Sequence, residues 1–176
     1  MGRVHGSPNR GAARGLVGGG SGPQNARWRP LVPVYLDASI LVAIVRNEPT
    51  RALLTHFLDP ARNVSCVSDL AIAEASAAIA AKGRASNRSA VLLASDFARL
   101  DEWAAEFAES VGTVPNDIST AGQLVRNPDI VLRAPDAIHI AAADRLGMTL
   151  LTFDRGMARA AATMGVACIN PAETSA

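Results

Sequence analysis

Two aspartates, Asp136 and Asp154, lie 18 residues apart on either side of a glycine turn. Pro135 suits the start of a helix, so Asp136 is predicted in the first turn of a helix that Gly147 ends. The apolar stretch 148–153 predicts a buried strand that leads into Asp154. Ligand sites in open α/β sheets form at the carboxyl ends of strands, so this pair of carboxylates indicates a site there.

Two other carboxylates occupy positions where a charge needs an explanation. Asp37 ends the predicted strand 32–37, where an aspartate that caps the next helix is an equally good explanation. Glu74 is the only charged residue between positions 70 and 81 of a predicted helix. An unpaired buried charge is costly, so Glu74 needs a cation, a hydrogen-bond partner or protonation, unless it lies on a narrow exposed face.

The four carboxylates together indicate a site for a hard divalent cation. Helix capping alone would also explain Asp136 and Asp154, but clustered carboxylates repel one another unless a cation neutralises them. Mg²⁺ and Mn²⁺ prefer oxygen ligands and usually keep several waters. Such a metal acidifies and orients a water and stabilises a phosphoryl transition state, which is what phosphodiester hydrolysis requires. That chemistry needs no cysteine, histidine or organic cofactor.

Strands and helices alternate along the chain and must position these carboxylates. Strands are predicted at 32–37, 63–67, 111–114, 148–153 and 166–169. Helices are predicted at 38–45, 50–58, 69–82, 86–109, 117–125, 135–146 and 155–164. Ser68 is a good N-cap for the third of these helices, and Gly83 is its predicted stop. The alternation predicts an α/β fold, a three-layer α/β/α sandwich with a mostly parallel central sheet.

The composition bounds the class of protein. The 176 residues, 49% of them hydrophobic, suffice for one domain with a substantial core. No run of about 18 apolar residues is free of charge, so no membrane span is predicted. Cys66 and Cys168 have no partners at metal-ligand spacing and are predicted to be reduced thiols, which indicates a cytoplasmic protein. No zinc site is predicted, because the histidines are scattered: His5, His56 and His139.

Charge is distributed unevenly between the start of the chain and the rest. Residues 1–30 contain five arginines, many glycines and no acidic residue, so they are predicted to be a disordered Gly/Arg-rich extension. This extension could be an over-extended start, a linker or a basic arm that binds nucleic acid. The remaining residues hold 12 basic against 16 acidic side chains, so they offer no broad basic platform for nucleic acid. Contacts to nucleic acid must then be local, for example at Arg133, Arg155 or Arg159, or come from a metal or the extension.

Four motifs, in this order, resemble those of the PIN domain. They are Leu36–Ser39 (LDAS), Ser68–Glu74 (SDLAIAE), Asp136–Ala141 (DAIHIA) and Leu151–Arg155 (LTFDR). More narrowly, they resemble the VapC-type ribonuclease toxins of type II toxin–antitoxin pairs, over about residues 33–170. The resemblance implies an α/β/α sandwich, an acidic Mg²⁺ or Mn²⁺ site, RNA cleavage, homodimers and neutralisation by a small cognate antitoxin.

The resemblance also implies roles for the four carboxylates. Asp37 and Asp136 match the principal metal ligands of the family. Asp154 matches the third aspartate, which completes the metal and water shell. Glu74 matches the family glutamate, which is a ligand through water or an aid to water activation.

Three neighbouring polar residues are given supporting or structural explanations. Ser39 and Thr152 match polar supporting positions, where they could hydrogen-bond the carboxylates. His139 is predicted to be a packed core histidine without a catalytic role. The glycine-rich head departs from the family, whose first aspartate lies close to the N-terminus. The predicted organisation is therefore an extension at 1–30 and a single PIN-like domain at 31–172.

The leading hypothesis is a metal-dependent endoribonuclease, the toxin of a toxin–antitoxin system, which hydrolyses RNA phosphodiesters with a metal-activated water. Attack would be in line, without a covalent enzyme intermediate. The alternative is a catalytically silent PIN-like binding or scaffold subunit, against which the presence of all four acidic residues argues. A small-molecule phosphatase is less well supported, because no phosphate-cradling glycine loop follows a strand and Asp37-Ala38-Ser39 lacks an Asp-x-Asp pattern.

Overall fold

A computed structural model of the protein describes residues 32–174, and the predicted extension at 1–30 lies outside them. The strands are β1 (Val32–Leu36), β2 (Asn63–Ser68), β3 (Glu109–Val111), β4 (Thr149–Leu151) and β5 (Cys168–Ile169). The α-helices are α1 (Ala38–Val45), α2 (Asp69–Ala85), α3 (Ala90–Phe107), α4 (Pro115–Leu124), α5 (Ala134–Leu146) and α6 (Arg155–Thr163). A 3-10 helix spans Pro49–Leu54.

The strands form one sheet in which every pair is parallel, in the order β3-β2-β1-β4-β5. β1 lies at the centre, and at its carboxyl end Leu36 pairs with Val67 of β2 and with Leu151 of β4. The chain leaves β1 for β2 on one side and later returns to β4 on the other, so the strand order reverses beside β1. A crevice outside the carboxyl ends of the strands at such a switch point is where ligands bind in this type of sheet.

Alternate residues of the central strand face two separate cores, as the two-residue period of a β-strand requires. Val34 and Leu36 lie in a core with residues of α1, α2 and α3. Tyr35 lies in the other core, with residues of α5 and α6, and α4 packs on α5. Helices therefore cover both faces of the sheet, and the predicted three-layer α/β/α sandwich is confirmed.

Two glycines that were both predicted to stop helices have different roles. Gly147 does end α5, with a φ of 63° in the left-handed region that glycine tolerates. Gly83 does not end α2, which continues to Ala85. A Cβ on Gly83 would lie 3.0 Å from Leu93 Cδ1, so this glycine allows α3 to pack closely against α2.

Several predicted boundaries are wrong because local hydrogen bonds or packing end the element elsewhere. Residues 50–58 form the 3-10 helix and a turn instead of an α-helix, since this short connection only has to bring Leu54 into the core. α3 begins at Ala90 instead of residue 86, because Ser89 Oγ accepts the Leu92 N–H as an N-cap.

Other differences lie next to the carboxyl edge of the sheet. β3 ends before Thr113, whose N–H donates to Asp69 Oδ1 at the start of α2 instead of to a neighbouring strand. α4 begins two residues before Asp117, and Asp117 caps it from inside by accepting the Val114 N–H. β4 spans only 149–151 of the predicted 148–153, so the residues after it are free to shape a loop.

The two cysteines are free thiols, as predicted. Cys66 is buried and Cys168 is half-buried, and burial raises both pKa values, that of Cys168 to about 11. Neither thiol is therefore an activated nucleophile. Within residues 32–174, no helix combines the length and the apolar character that crossing a membrane requires.

Candidate active site

Asp37 links the end of the central strand to the first helix. Its Oδ1 caps α1 by accepting the Ile40 N–H at 3.2 Å and also accepts the Ser39 hydroxyl at 2.7 Å. Its Oδ2 accepts the Thr152 hydroxyl at 2.6 Å. The residue is only 3% exposed, and this burial raises the pKa of its carboxyl while the two hydroxyl donors oppose the rise.

The hydroxyls of Ser39 and Thr152 also bind the loop that follows β4. Ser39 Oγ accepts the Phe153 N–H, and Thr152 Oγ1 accepts the Asp154 N–H, both at 2.9 Å. Each hydroxyl therefore donates to Asp37 and accepts from the loop at the same time. The hydrogen bonds expected from these two residues are present, and they fix Asp37 relative to Asp154 across the β1–β4 pair.

Asp154 lies directly before α6, in agreement with the helix predicted at 155–164, but β4 ends at Leu151 and does not lead directly into Asp154 as predicted. Its Oδ1 accepts the Met157 N–H at 2.9 Å, which makes it the N-cap of the helix. Within the described residues, no hydrogen bond reaches its Oδ2. The capping explanation is therefore correct for one oxygen and leaves the other available for a ligand.

Asp136 is the third residue of α5 and likewise uses one oxygen for its own helix. Its Oδ2 accepts the Arg133 N–H at 3.3 Å. Partial burial raises the pKa of the Asp136 carboxyl, and the negative charges of Asp154 and Glu74 raise it further. The fold thus holds three carboxylates close enough to repel one another, with no compensating cation bonded to Asp136 among residues 32–174.

Glu74 has a hydrogen-bond partner and does not lie on a free exposed face. It extends from α2, its side chain is 33% exposed, and its Oε2 lies 2.7 Å from His139 Nε2 on α5. His139 is fully buried, as predicted for a core histidine, and its Nδ1 lies 2.9 Å from Tyr35 Oη. The contact between His139 and Glu74 is one that sequence reasoning missed, although the i, i+3 spacing from Asp136 to His139 was a signal.

All four predicted acidic residues line one cavity of about 610 Å³ at the carboxyl edge of the sheet: Asp37, Glu74, Asp136 and Asp154. Basic side chains line the same cavity, among them Arg133, Arg155 and Lys82. Arg155 is paired with Glu173, and Lys82 with Glu48. Arg159, which the sequence offered as a possible contact to nucleic acid, is exposed and does not line this cavity.

The donor set of the cavity fits a hard divalent cation, although its geometry is not a closed metal cage. Within residues 32–174, no group of three or more Asp, Glu, His or Cys side chains is already arranged to hold a metal ion. Mg²⁺ does not require such a cage, because it is usually held by one or two carboxylates, several waters and substrate phosphates. Within residues 32–174, hydrogen bonds reach only one oxygen of each of three carboxylates, which leaves Asp136 Oδ1, Asp154 Oδ2 and Glu74 Oε1. These are oxygen donors of the kind that Mg²⁺ and Mn²⁺ prefer.

Comparisons with protein families and with characterised proteins show what this chain is similar to. A family model described as PIN domain matches residues 34–163. The chain is 32% identical over 146 residues to the protein named Ribonuclease VapC46 of Mycobacterium tuberculosis, an alignment that covers 80% of this chain and 99% of that protein.

Solved structures share the fold at low sequence identity. VapBC2 of Rickettsia felis, bound to a DNA fragment from its promoter, has a TM-score of 0.59 at 15% identity, with 79% of this chain and 98% of that chain covered. DNA-bound VapBC of Salmonella typhimurium has a TM-score of 0.60 at 14% identity, with 80% and 99% covered. VapC20 of Mycobacterium tuberculosis, described as a sarcin–ricin loop cleaving toxin, has a TM-score of 0.57 at 15% identity, with 72% and 94% covered.

Proposed function

The chain belongs to the PIN domain family, and from this membership we propose that it is an endoribonuclease that acts as the toxin of a toxin–antitoxin pair. The observation that carries the proposal is the convergence of Asp37, Glu74, Asp136 and Asp154 on one cavity. The cavity lies outside the carboxyl ends of β1 and β4, where this type of sheet binds ligands. A relative that matches over nearly its whole length is named a ribonuclease, which supports the same chemistry.

We propose that the site works with Mg²⁺ or Mn²⁺, held principally by Asp37 and Asp136 and completed by Asp154 and Glu74. When bound, such a cation neutralises the clustered carboxylates, acidifies and orients a water and stabilises phosphoryl charge. The raised pKa of Asp136 supports this assignment, because burial first and then repulsion from Asp154 and Glu74 disfavour its charge, and positive charge in the cavity would relieve that repulsion.

The side chains of the protein then have separate tasks in phosphodiester hydrolysis. Ser39 and Thr152 hold both oxygens of Asp37 in place, so that this carboxylate keeps one orientation. Among the described residues no hydrogen bond reaches Glu74 Oε1, so this oxygen could accept a hydrogen bond from the attacking water. Arg133 and Arg155 line the cavity with positive charge, which would attract the phosphates of RNA to an otherwise acidic body.

We propose RNA as the substrate and a cognate antitoxin protein as the partner. The resemblance to the VapC-type toxins implies an antitoxin partner for this chain, and the similar structures named VapBC support that proposal. A homodimer is proposed on the family resemblance alone, and sedimentation of the purified full-length chain would test it.

Cleavage of a mixed cellular RNA pool by purified full-length protein tests the function. The protein is assayed with Mg²⁺, with Mn²⁺ and with a chelator, beside Asp136→Asn and a matched control, Asp144→Asn, which changes an exposed aspartate of the same helix. We expect metal-dependent cleavage by the unmodified protein and the control, and a loss of at least about 100-fold in Asp136→Asn. Cleavage that persists in chelator, or equally in Asp136→Asn, would contradict the metal nuclease.

The same assay separates the nuclease from a catalytically silent binding subunit. Folded protein, free of antitoxin, that cleaves no RNA under any of the three conditions would favour the binding subunit. The cut positions found with Mg²⁺ or Mn²⁺ would identify the sequence that the enzyme recognises.

A further inference from the structure

A chain of four hydrogen-bonded side chains runs from the sheet to the candidate active site. It begins at Ser68, at the end of β2, whose Oγ lies 2.6 Å from Tyr35 Oη on β1. Tyr35 Oη lies 2.9 Å from His139 Nδ1 on α5, and His139 Nε2 lies 2.7 Å from Glu74 Oε2 on α2. Four different elements therefore determine the orientation of the Glu74 carboxylate.

The donors and acceptors of these four side chains allow only one direction for the hydrogen bonds between them. Ser68 Oγ accepts the Ala71 N–H at 3.1 Å, and among the described residues the acceptor available to its own hydrogen is Tyr35 Oη. The Tyr35 hydroxyl then donates to His139 Nδ1, which leaves Nε2–H to donate to Glu74. In the opposite direction, the Ser68 hydrogen would be buried without an acceptor. Burial raises the pKa of Tyr35 to about 12, so its hydroxyl keeps the proton that it donates.

We propose that His139 is a positioning residue for the reaction: as the neutral Nε2–H tautomer, set by Tyr35 and Ser68, it holds Glu74 in the orientation that hydrolysis requires. The inference deepens the proposed nuclease function and rests on it for the catalytic consequence. Glu74 Oε2 accepts the hydrogen bond from His139, so Oε1 is the oxygen that would orient the water. Packing alone would require a buried ring at this position, but it would not require donors and acceptors matched along four side chains.

The location of His139 explains how its hydrogen bond can hold Glu74 accurately relative to the other carboxylates. Asp136 and His139 are one turn apart on α5, so the helix that supplies one carboxylate of the site also supplies the donor that holds another. Glu74 has a long side chain that would otherwise sample several rotamers at the edge of the cavity. A single donor from a fully buried ring removes that freedom.

Two amide substitutions at His139 separate positioning from packing. Glutamine places its amide nitrogen near the position of Nε2 and can still donate to Glu74, whereas asparagine reaches only the position of Nδ1, beside Tyr35. We expect His139→Gln to keep kcat within about threefold of the unmodified protein. We expect His139→Asn to lower kcat about 10-fold to 100-fold, with KM changed by less than about twofold, because RNA binding does not use this donor.

Nuclear magnetic resonance of the full-length chain provides a second readout that does not depend on cleavage. Ring ¹⁵N–¹H correlations are recorded for the unmodified protein and for Glu74→Ala. We expect His139 as the Nε2–H tautomer, with its ring proton protected from exchange by Glu74. In Glu74→Ala, exchange of that proton should accelerate at least about 10-fold, because its acceptor is gone.

The outcomes distinguish this inference from the function on which it rests. An Nδ1–H tautomer of His139 would overturn it, and so would equal kcat values for His139→Gln and His139→Asn. If the unmodified protein cleaves no RNA, the nuclease fails, and the ring spectra alone decide whether His139 is oriented toward Glu74 as inferred. Unfolding of either amide variant would likewise leave the spectra of the unmodified protein to decide.

Discussion

At the scale of single residues, the four carboxylates differ in how much of each one the fold already uses. Asp37 accepts hydrogen bonds on both oxygens, from Ser39 and the Ile40 N–H on Oδ1 and from Thr152 on Oδ2, which leaves a lone pair of Oδ2 for the proposed cation. Asp136 and Asp154 each use one oxygen to cap the start of a helix, and within residues 32–174 no hydrogen bond reaches the other oxygen. Asparagine at position 37 would replace an acceptor oxygen by an N–H₂ group that faces a donor, so it would disturb the fold as well as the charge. Asp136→Asn is therefore the cleaner test of charge.

The first prediction concerns the stability of Asp136→Asn without metal. The folded pKa of Asp136 lies above its ordinary value of 3.8, so its ionised form opposes folding at neutral pH. Asparagine removes that charge and keeps an oxygen for the Arg133 N–H. We expect Asp136→Asn to melt at a higher temperature than the unmodified protein at pH 7 in chelator. Added Mn²⁺ should raise the melting temperature of the unmodified protein more than that of the variant.

The dependence of this difference on pH provides the control. As pH falls through the folded pKa of Asp136, the unmodified protein takes up a proton and loses the cost of burying this charge beside Asp154 and Glu74. The difference in melting temperature therefore shrinks, and it vanishes below about 3.8, the ordinary pKa of the group. Thermal melts from pH 7 to below pH 3.8 measure this difference. A variant that melts below the unmodified protein at pH 7 in chelator would contradict the idea that the charge of Asp136 opposes folding.

The second prediction concerns Thr152, the buried hydroxyl that joins Asp37 to Asp154. Valine has nearly the same shape but neither donates to Asp37 Oδ2 nor accepts the Asp154 N–H. We expect Thr152→Val to lower the free energy of unfolding by about 1–3 kcal/mol, the cost of leaving buried polar groups unsatisfied. Urea titration at pH 7 measures it. Thr152→Ser keeps the hydroxyl and should recover most of the loss, and equal losses in both variants would refute the assignment.

At the scale of elements, one buried carboxylate on α3, Asp96, forms ion pairs that connect this helix to α1. Asp96 is fully buried on α3, and three arginines surround it: Arg46 at the end of α1, Arg88 before α3, and Arg99 one turn along. Arg88 Nε lies 2.7 Å from Asp96 Oδ2. Although burial opposes ionisation, Arg88 and Arg99 hold the pKa of Asp96 below its usual value. The cluster thus connects the C-terminal end of α1 to α3.

The third prediction follows from this cluster. Asp96→Asn leaves three guanidinium groups beside a neutral amide, and breaking a buried charge pair costs about 3–5 kcal/mol. We expect a loss near the lower limit, because the arginines remain partly exposed. Urea titration measures it, with Asp101→Asn on the exposed face of the same helix as the control. The loss should fade as pH falls below 3.8, the ordinary value of an aspartate, since the unfolded chain is then protonated.

At the scale of the whole molecule, charge and topology define how RNA would approach. The chain after residue 30 holds more acidic than basic side chains, and the acidic cavity lies at the switch point of the sheet. A polyanion would approach such a body only where local positive charge compensates, at Arg133, Arg155 and the proposed cation. Binding should therefore depend on few phosphate contacts and weaken modestly with salt.

The fourth prediction concerns residues 1–30, which the sequence predicts to be a disordered Gly/Arg-rich extension. The family match begins at residue 34 and β1 at Val32, so a chain that starts at residue 31 contains every element described above. We expect its free energy of unfolding to change by less than about 0.5 kcal/mol. Metal-dependent cleavage and the salt dependence of RNA binding should also be unchanged. A weaker salt dependence would instead identify the five arginines of the extension as an RNA-binding arm.

The sequence by itself determined the fold class and the membership of the candidate site. Helical and strand periodicities are local properties, and strands that alternate with helices leave a parallel sheet as the main solution. The four acidic residues lie directly after β1, on α2, on α5 and at the N-cap of α6. The order of the elements therefore already brings Asp37, Glu74, Asp136 and Asp154 to one edge. The four motifs follow this order of elements along the chain, and that order made the resemblance to the PIN domain recognisable.

The tertiary structure alone decided how each carboxylate is held. Thr152 and Asp37 are 115 residues apart, and Tyr35 and His139 are 104 apart, so only the β1–β4 pairing and the packing of α5 bring them into contact. Gly83 was misjudged because a close helix contact, and not its own backbone, explains it. Hydrogen bonds between distant side chains leave no period or spacing in the sequence, and they exist only once the sheet has placed its helices.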